Sequence, residues 1–449
     1  MINRYFFREQ KHYYFDDYND LFKNNDILSE FKNLDVVKYT EVDFKFEYVG
    51  IIIFEDNMIF CYPKYISEKN VVDDEFKEII EVIKTFDKQR NSLLYQYDEF
   101  ENYSYNLISL MIFFLEDYYE NGIYTKTQNI LEINGNGEID WNRTVNQEYP
   151  IIQNGKPYYI NLQTRYHQND LENYFRVLHK RIITHCSIKL NEYDLLDLFD
   201  LNSVELSQKS SFDDFGEIEF IKSQIQKELN IEFNTHKRIL LNAMYSFFSN
   251  NNSSKEKFLA LYGSNEYYYI WESMCSEIFS DNLDDTLGDL FKDKLNNNFS
   301  KNTQLKNVIN NPVYHNGDIS EDFSRLIPDL VIFNENNNQL IILDGKYRNV
   351  YKNKHIEDIL SLYDVNKQFL YQLAYYDLIH LQNIKCVKNA LLFPTYNNEV
   401  IYGGYIESDM FSNIKLNKIQ IILLPAREVT QCYLEERKKP ISWLELKDI

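Results

Sequence analysis

The sequence predicts a mixed α/β (α+β) multidomain chain, and three observations predict it. Strand-length apolar runs separated by polar turns crowd the first 70 residues. Apolar residues at helical spacing then dominate from Asp73 to Glu120 and across residues 168 to 248. The last 195 residues or so mix both patterns. At roughly 150 residues per domain, 449 residues suggest about three domains. The partition expected is a β-containing N-terminal domain over 1–160, a helical connecting region over 161–254 and a C-terminal α/β domain over 255–449.

The elements follow in order. Phe44, Phe46 and Tyr48 alternate with charged residues, as one face of a strand requires. Val49-Gly50-Ile51-Ile52-Ile53-Phe54 then meets the acidic turn Glu55-Asp56-Asn57, and Met58-Ile59-Phe60-Cys61-Tyr62 follows up to Pro63. Two apolar runs about a short polar turn read as a β-hairpin. Phe76, Ile79, Ile80, Ile83 and Phe86 fall at helical spacing, and Leu107 to Tyr118 forms a second helical stretch. Asn134-Gly135-Asn136-Gly137 is a turn cluster. Leu171, Tyr174, Phe175, Leu178 and Ile182 make an apolar helix face, and residues 222–248 make another. Ser249-Asn250-Asn251-Asn252-Ser253-Ser254 is the best linker. Later strands are expected at Leu391-Leu392-Phe393-Pro394 and from Ile419 to Leu424.

Composition narrows the function. Lys plus Arg total 47 against 69 Asp plus Glu, a net charge of −22. That argues against a protein that coats nucleic acid through bulk electrostatics. A nuclease with a local basic groove survives the argument, with its DNA held partly by something else. The 37 Tyr and 31 Phe are spread over the whole length, which is not a base-stacking signature. Five widely spaced cysteines without a CxxC pair point to free thiols in a reducing cytoplasm, not to zinc or disulfides. The N-terminus has no signal-peptide apolar core, and the run Leu110–Leu115 is too short to span a bilayer. A cytoplasmic location is therefore expected.

The strongest constellation lies near the end. Ile327-Pro328-Asp329-Leu330-Val331-Ile332-Phe333 precedes the polar turn 334–338, and Gln339-Leu340-Ile341-Ile342-Leu343-Asp344-Gly345-Lys346 follows. Side chains alternate along a strand, so Asp344 and Lys346 point the same way. Asp329, at the start of the neighbouring strand, can converge on them. Two carboxylates about 4 Å apart repel by ~1 kcal/mol in water and ~4 kcal/mol at an effective dielectric of 20. A bound Mg²⁺ or Mn²⁺ removes that repulsion and suits phosphodiester hydrolysis, because it polarises a phosphate oxygen and acidifies water. Oxygen donors without His or Cys favour these ions over Zn²⁺. The plainer alternative is a β-hairpin that ends in a surface Asp and Lys.

Pro328-Asp329…Asp344-Gly345-Lys346 resembles the PD-(D/E)XK nuclease core. More narrowly, four blocks resemble the LlaJI-type restriction endonucleases, relatives of the McrC subunit of McrBC systems. They are Val49-Gly50-Ile51-Ile52 with Pro63-Lys64-Tyr65, and Gly137-Glu138-Ile139-Asp140-Trp141 with Thr144. The others are Tyr262-Gly263 with Trp271-Glu272 and Cys275, and Asp364-Val365-Asn366-Lys367-Gln368-Phe369-Leu370-Tyr371-Gln372. Gly345 departs mildly, because Ala is more often expected there.

The resemblance implies Asp329 and Asp344 as metal ligands, with the Gly345 carbonyl beside them, and Lys346 as the catalytic lysine. It implies Glu272 as the acidic residue on the first helix of the core, where Tyr268, Trp271, Cys275 and Ile278 can share an apolar face. A solvated helix charge is the plainer reading of Glu272. Gln368 and Gln372 share a helix face with Tyr376 one turn on. The resemblance places such a Gln and Tyr beside the metal, with Gln372 the better candidate. Packing of Phe369, Leu370, Leu373 and Ala374 would explain the spacing equally well. Residues 341–368 hold five basic and four acidic residues, among them Arg348, Lys352, Lys354 and His355. A phosphate contact and a solvated loop both fit.

No GxxxxGK[ST] occurs, so this chain should bind no GTP or ATP by a P-loop. The resemblance implies that a separate McrB-like AAA+ GTPase binds the nucleotide and translocates double-stranded DNA. Residues 1 to about 160 would dock on it, and a second copy of this chain is a further candidate partner. The implied function is a Mg²⁺-dependent endonuclease subunit of a GTP-driven restriction system, with a mixed four- or five-stranded core sheet. The Asn-rich stretch 281–325 would be an insertion. Two other readings stay open: a non-catalytic activator of an AAA+ ring, and a stand-alone metal-dependent nuclease.

Overall fold

A computed structural model describes residues 2–18, 20–22, 25–66, 73–94, 107–209, 211–250, 259–316, 319–323, 326–350, 360–408 and 416–448. Lys352, Lys354, His355 and most of the expected linker after Asn250 lie outside the described residues. The chain forms two compact units, Met1–Asp98 with Tyr262–Ile449, and Glu99–Leu261. This grouping differs from the expected partition, since residues 1–98 fall with the C-terminal part.

The first unit holds the expected hairpin. Val49–Phe54 and Asn57–Tyr62 pair antiparallel, with Phe54 opposite Asn57. Asn3–Arg8 adds parallel to Asn57–Tyr62, and Leu259–Ser264 flanks Val49–Phe54. Every residue of Val49–Phe54 is buried, so the apolar run does not alternate. Gly50 sits at φ +141°, and a Cβ there would lie 2.2 Å from the Tyr262 carbonyl oxygen. One on Gly263 would lie 2.2 Å from the Val49 carbonyl oxygen. The glycines of two resemblance blocks thus let two backbones touch.

The second sheet of this unit has five strands, ordered Leu330–Asn334, Gln339–Gly345, Cys386–Thr395, Ile419–Pro425 and Ile401–Ile406. The first pair is antiparallel, with Leu330 opposite Leu343. Gln339–Gly345 runs parallel to Cys386–Thr395, which runs parallel to Ile419–Pro425. Ile401–Ile406 closes the edge antiparallel. This is the mixed sheet expected, with an edge strand the sequence reading did not mark. Its central strands Cys386–Thr395 and Ile419–Pro425 are buried but for the two end residues of the first, as strands covered on both faces must be.

Tyr267–Phe279 and Leu362–Ala374 are the helices that matter for the site. The second helix starts on a capping box, with Ser361 and Asp364 exchanging side-chain and backbone bonds. The stretch 281–325 is more than a polar insertion. Leu283, Leu287, Phe291, Leu305 and Ile309 are buried with Leu340, Ile342, Tyr371 and Tyr375 in one cluster. Asn and Asp dominate its composition, but five apolar side chains are enough to tie it to the sheet.

The second unit is helical, as expected for residues 168–248, and carries a β-module between its helices. Leu107–Asn121, Tyr174–Glu192, Ile218–Leu229 and Thr235–Asn250 are its long helices. The run Leu110–Leu115 is bundle core, and among the described residues no helix is long and apolar enough to cross a membrane. Thr127–Ile133 pairs antiparallel with Gln163–Asn169, which also takes Glu138–Ile139, and a hairpin joins Ile151–Gln153 to Lys156–Tyr158. The block from Gly137 to Thr144 builds this module. Asp140 caps the helix Trp141–Gln147 through Arg143 N, and the Thr144 hydroxyl accepts from Gln163 N at 3.0 Å.

Candidate active site

The Asp329, Asp344 and Lys346 constellation forms at the end of the five-stranded sheet. Asp329 precedes its strand, and the register that sets Leu330 opposite Leu343 carries it to Asp344. Its Oδ2 accepts from Gly345 N at 2.9 Å. Asp344 is only 1% exposed. Its Oδ2 contacts the Lys346 ammonium, so the two side chains do share a face. Lys346 N donates to Leu392 O at 2.8 Å, which holds the strand end against its parallel neighbour.

Glu272 reaches this end from the helix Tyr267–Phe279. Trp271 beside it is fully buried and donates from Nε1 to Leu392 O at 3.2 Å. Gly345 faces that helix. A Cβ on it would lie 3.3 Å from Glu272 Cα and Cγ and 3.5 Å from Trp271 Cδ1. Such contacts are tight, so glycine in place of the expected alanine brings the Glu272 backbone closer. Glu272 and Asp329 also line an open cleft of about 330 Å³ with Phe86, Tyr269, Ser273 and Ser276.

The electrostatics are those of crowded acids. Burial raises the Glu272 carboxyl to about 7, and Asp344 adds to the shift against the opposing charges of Lys346 and Lys367. Burial also raises Asp329, with Asp344 and Glu272 adding to it. Burial opposes the charge on Lys346, but Asp344, Asp329 and Asp364 outweigh it and the ammonium is held more firmly than usual.

A divalent cation fits this donor set on one structural observation. Asp344 Oδ1 is buried without a hydrogen-bond partner, a costly arrangement unless something charged completes it. The nearby oxygens of Asp329, Glu272 and the Gly345 carbonyl are hard donors suited to Mg²⁺. As drawn, Lys346 occupies Asp344 Oδ2, and among the described residues no three His, Cys, Asp or Glu are already gathered to hold a metal. Ligation through Oδ1 leaves Oδ2 to the ammonium, whereas ligation through both oxygens would require the ammonium to shift.

The glutamines are turned elsewhere. Gln368 is buried and donates to Asn389 Oδ1 at 2.6 Å. Gln372 accepts from Asn417 N at 3.1 Å and lines a separate cleft with Tyr376, Lys385 and Lys388. The structure therefore does not bring Gln372 or Tyr376 to the carboxylates. The helix presents Asp364, Lys367 and Tyr371 instead. Asp364 Oδ1 lies 3.7 Å from Lys346 Nζ, and Lys367 and Tyr371 feel the same acids. Their i, i+3, i+7 spacing was the available signal. The sequence reading followed the glutamines of the resemblance instead.

The N-terminal sheet reaches the same strand end. Tyr347 Oη donates to Glu9 Oε2 at 2.5 Å, and Lys64 N donates to the same oxygen at 3.3 Å. Asn349 Nδ2 donates to Lys64 O at 2.5 Å. This buried set explains why residues 1–98 group with the C-terminal part.

Comparison with known proteins adds the following. The family described as LlaJI restriction endonuclease matches residues 48–427. The type II restriction enzyme BsuMI component YdjA of Bacillus subtilis (strain 168) is 26% identical over 430 residues, covering 93% of this chain and 85% of that one. A refined half-complex of Thermococcus gammatolerans McrB AAA+ hexamers with bound McrC gives a TM-score of 0.42 at 13% identity, over 97% of this chain and 99% of that one. A cryo-EM structure of the Thermococcus gammatolerans McrBC complex gives 0.24 at 14% identity, over 57% and 83%.

Proposed function

The chain belongs to the LlaJI restriction endonuclease family, and from that premise we propose that it is the Mg²⁺-dependent nuclease subunit of a restriction system driven by a separate AAA+ GTPase. The carrying observation is the buried, unsatisfied Asp344 Oδ1 beside Asp329, Glu272 and Lys346. Mg²⁺ or Mn²⁺, when bound, would polarise the scissile phosphate and acidify water. Asp344, Asp329, Glu272 and the Gly345 carbonyl would hold it. Asp329 also keeps the Gly345 backbone in place. Lys346, held as the ammonium, orients the attacking water or offsets charge on the phosphate.

The AAA+ partner rests on three features. The chain has no P-loop, and its net charge of −22 calls for help in holding double-stranded DNA. The β-module of the second unit also exposes a run of large apolar side chains. Trp141 is 57% exposed, and Ile133, Val145, Ile151, Ile152 and Ile160 are each more than half exposed. Exposed apolar surface on this scale marks a binding face, and it falls inside the expected docking region 1–160. GTP would bind the partner, in the cytoplasm.

The test is reconstitution. Together with the AAA+ GTPase encoded beside it, the chain should cut double-stranded DNA only with GTP and Mg²⁺. Asp344→Ala should abolish cutting, and intact cutting by that variant would sink the site. Cutting by the chain alone, without nucleotide, would favour the stand-alone reading.

A further inference from the structure

Lys346 sits between two carboxylates. It contacts Asp344 Oδ2 on its own strand and lies 3.7 Å from Asp364 Oδ1 on the helix Leu362–Ala374. Asp364 is itself held from three directions. Its Oδ2 accepts from Ser361 Oγ at 2.6 Å and from Ser361 N at 3.2 Å, and forms an ion pair with Arg348 Nη2 at 3.3 Å. Those donors occupy one oxygen and leave Oδ1 turned toward the ammonium. The side chains of Lys346 and Asp364 are only 13% and 11% exposed, so water screens the pair weakly.

The arrangement has a consequence for any cation that reaches Asp344. A cation on the unpartnered Oδ1 of Asp344 would draw on the same carboxylate charge and loosen its hold on the ammonium at Oδ2. An ammonium displaced into a buried site without a partner would carry a desolvation cost of several kcal/mol per ion. Asp364 removes that cost because a second carboxylate already waits on the far side of the nitrogen. We infer that Asp364 is the positioning residue for Lys346: it receives the ammonium as a divalent cation takes Asp344, and so keeps the lysine in the site. The inference rests on the proposed metal site. It concerns the exchange of partners at Lys346, not the identity of the ligands.

The experiment is a Mn²⁺ titration of the full-length chain without DNA, followed by the loss of the free-ion EPR signal. Asp364→Gln keeps the capping box, which accepts Gln at this position, but removes the charge. Asp364→Glu keeps both. Asp364→Gln should weaken Mn²⁺ binding by about 10- to 100-fold, the usual effect of losing a group that supports a ligand. Asp364→Glu should stay within about threefold of the unaltered chain, well inside that range. In a Lys346→Met background there is no ammonium to receive, and Asp364→Gln should then change binding by less than about threefold. Unchanged affinity in Asp364→Gln overturns the inference and leaves the metal site standing. An equal loss with and without Lys346 also overturns it, because Asp364 would then act through its field alone. No Mn²⁺ binding by the unaltered chain, or binding indifferent to Asp344→Asn, removes the metal site itself and the inference with it.

Discussion

The end of the five-stranded sheet and the β-module of the second unit break the same rule in opposite ways. At the sheet end, charged groups are buried: Asp344 is 1% exposed and Lys64 9%. In the β-module, Ile152 is 64% exposed and Ile160 69%. Burying a charge and exposing an apolar side chain both cost free energy; Lys346 meets only one oxygen of Asp344, and something outside the folded chain can complete each region. A cation would complete the first region, and a protein surface the second. On the proposed reading, the first region would do the chemistry and the second would dock the partner.

The contrast breaks most sharply if the sheet end is dispensable. Lys346→Met should lower the cutting rate by about 10²- to 10³-fold, the range for loss of one donor that stabilises transition-state charge. Binding to the AAA+ partner should survive, because the proposed docking face is the other region. Measuring cutting and partner binding on the reconstituted complex checks this, and a variant that loses partner binding as well would merge the two roles.

The converse variant, Trp141→Ser with Ile152→Ser, should leave the melting temperature almost unchanged, since exposed substitutions usually stay within about 0.5 kcal/mol. Binding to the partner should weaken roughly 30-fold, the loss that a ~2 kcal/mol interface anchor implies. Analytical ultracentrifugation or surface plasmon resonance with the GTPase reads it. Unchanged binding would move the docking face elsewhere.

Acidity sharpens the first region. Burial raises Glu272 from an ordinary 4.5 to about 7, and Asp329 is raised as well. Between those two values the folded chain binds more protons than the unfolded one, so stability falls as pH rises through the window. Metal-free protein should therefore melt lower near pH 8 than near pH 5. Divalent cation should offset the drop and bind more tightly as pH rises, because its ligands must lose their protons. Calorimetry with and without Mg²⁺ across that range tests the sign; a melting temperature that rises with pH would contradict it.

Gly345→Ala should have the smallest effect. The new methyl would sit 3.3 Å from Glu272 Cα. Overpacking costs ~1–3 kcal/mol, while the loss of glycine freedom returns ~0.4–1 kcal/mol. A net loss of about 1 kcal/mol in denaturant unfolding is expected, and a gain in stability would show that the Glu272 helix is free to yield.

Much of the site was legible because it is local. A strand repeats every two residues, so Asp344 and Lys346 had to share a face, and one short turn had to bring Asp329 to them. The partner across a helix was harder to read. Gln368 and Gln372 fit the resemblance, yet helix phase turned Asp364, Lys367 and Tyr371 to the acids. The strands Thr127–Ile133 and Gln163–Asn169 are mostly exposed and carry few apolar residues, so they left little periodicity to read.

From its residues alone the chain was bound to form two strands carrying an Asp, an Asp and a Lys at one end, because backbone geometry leaves those side chains no other direction. Tertiary structure alone decided which helix face closes that end and that Glu9 meets Tyr347 across 338 positions of sequence. It also decided which apolar side chains stay in water. The reason is range: alternation and helical phase act over a few residues, whereas burial and charge pairing depend on which distant segments pack together.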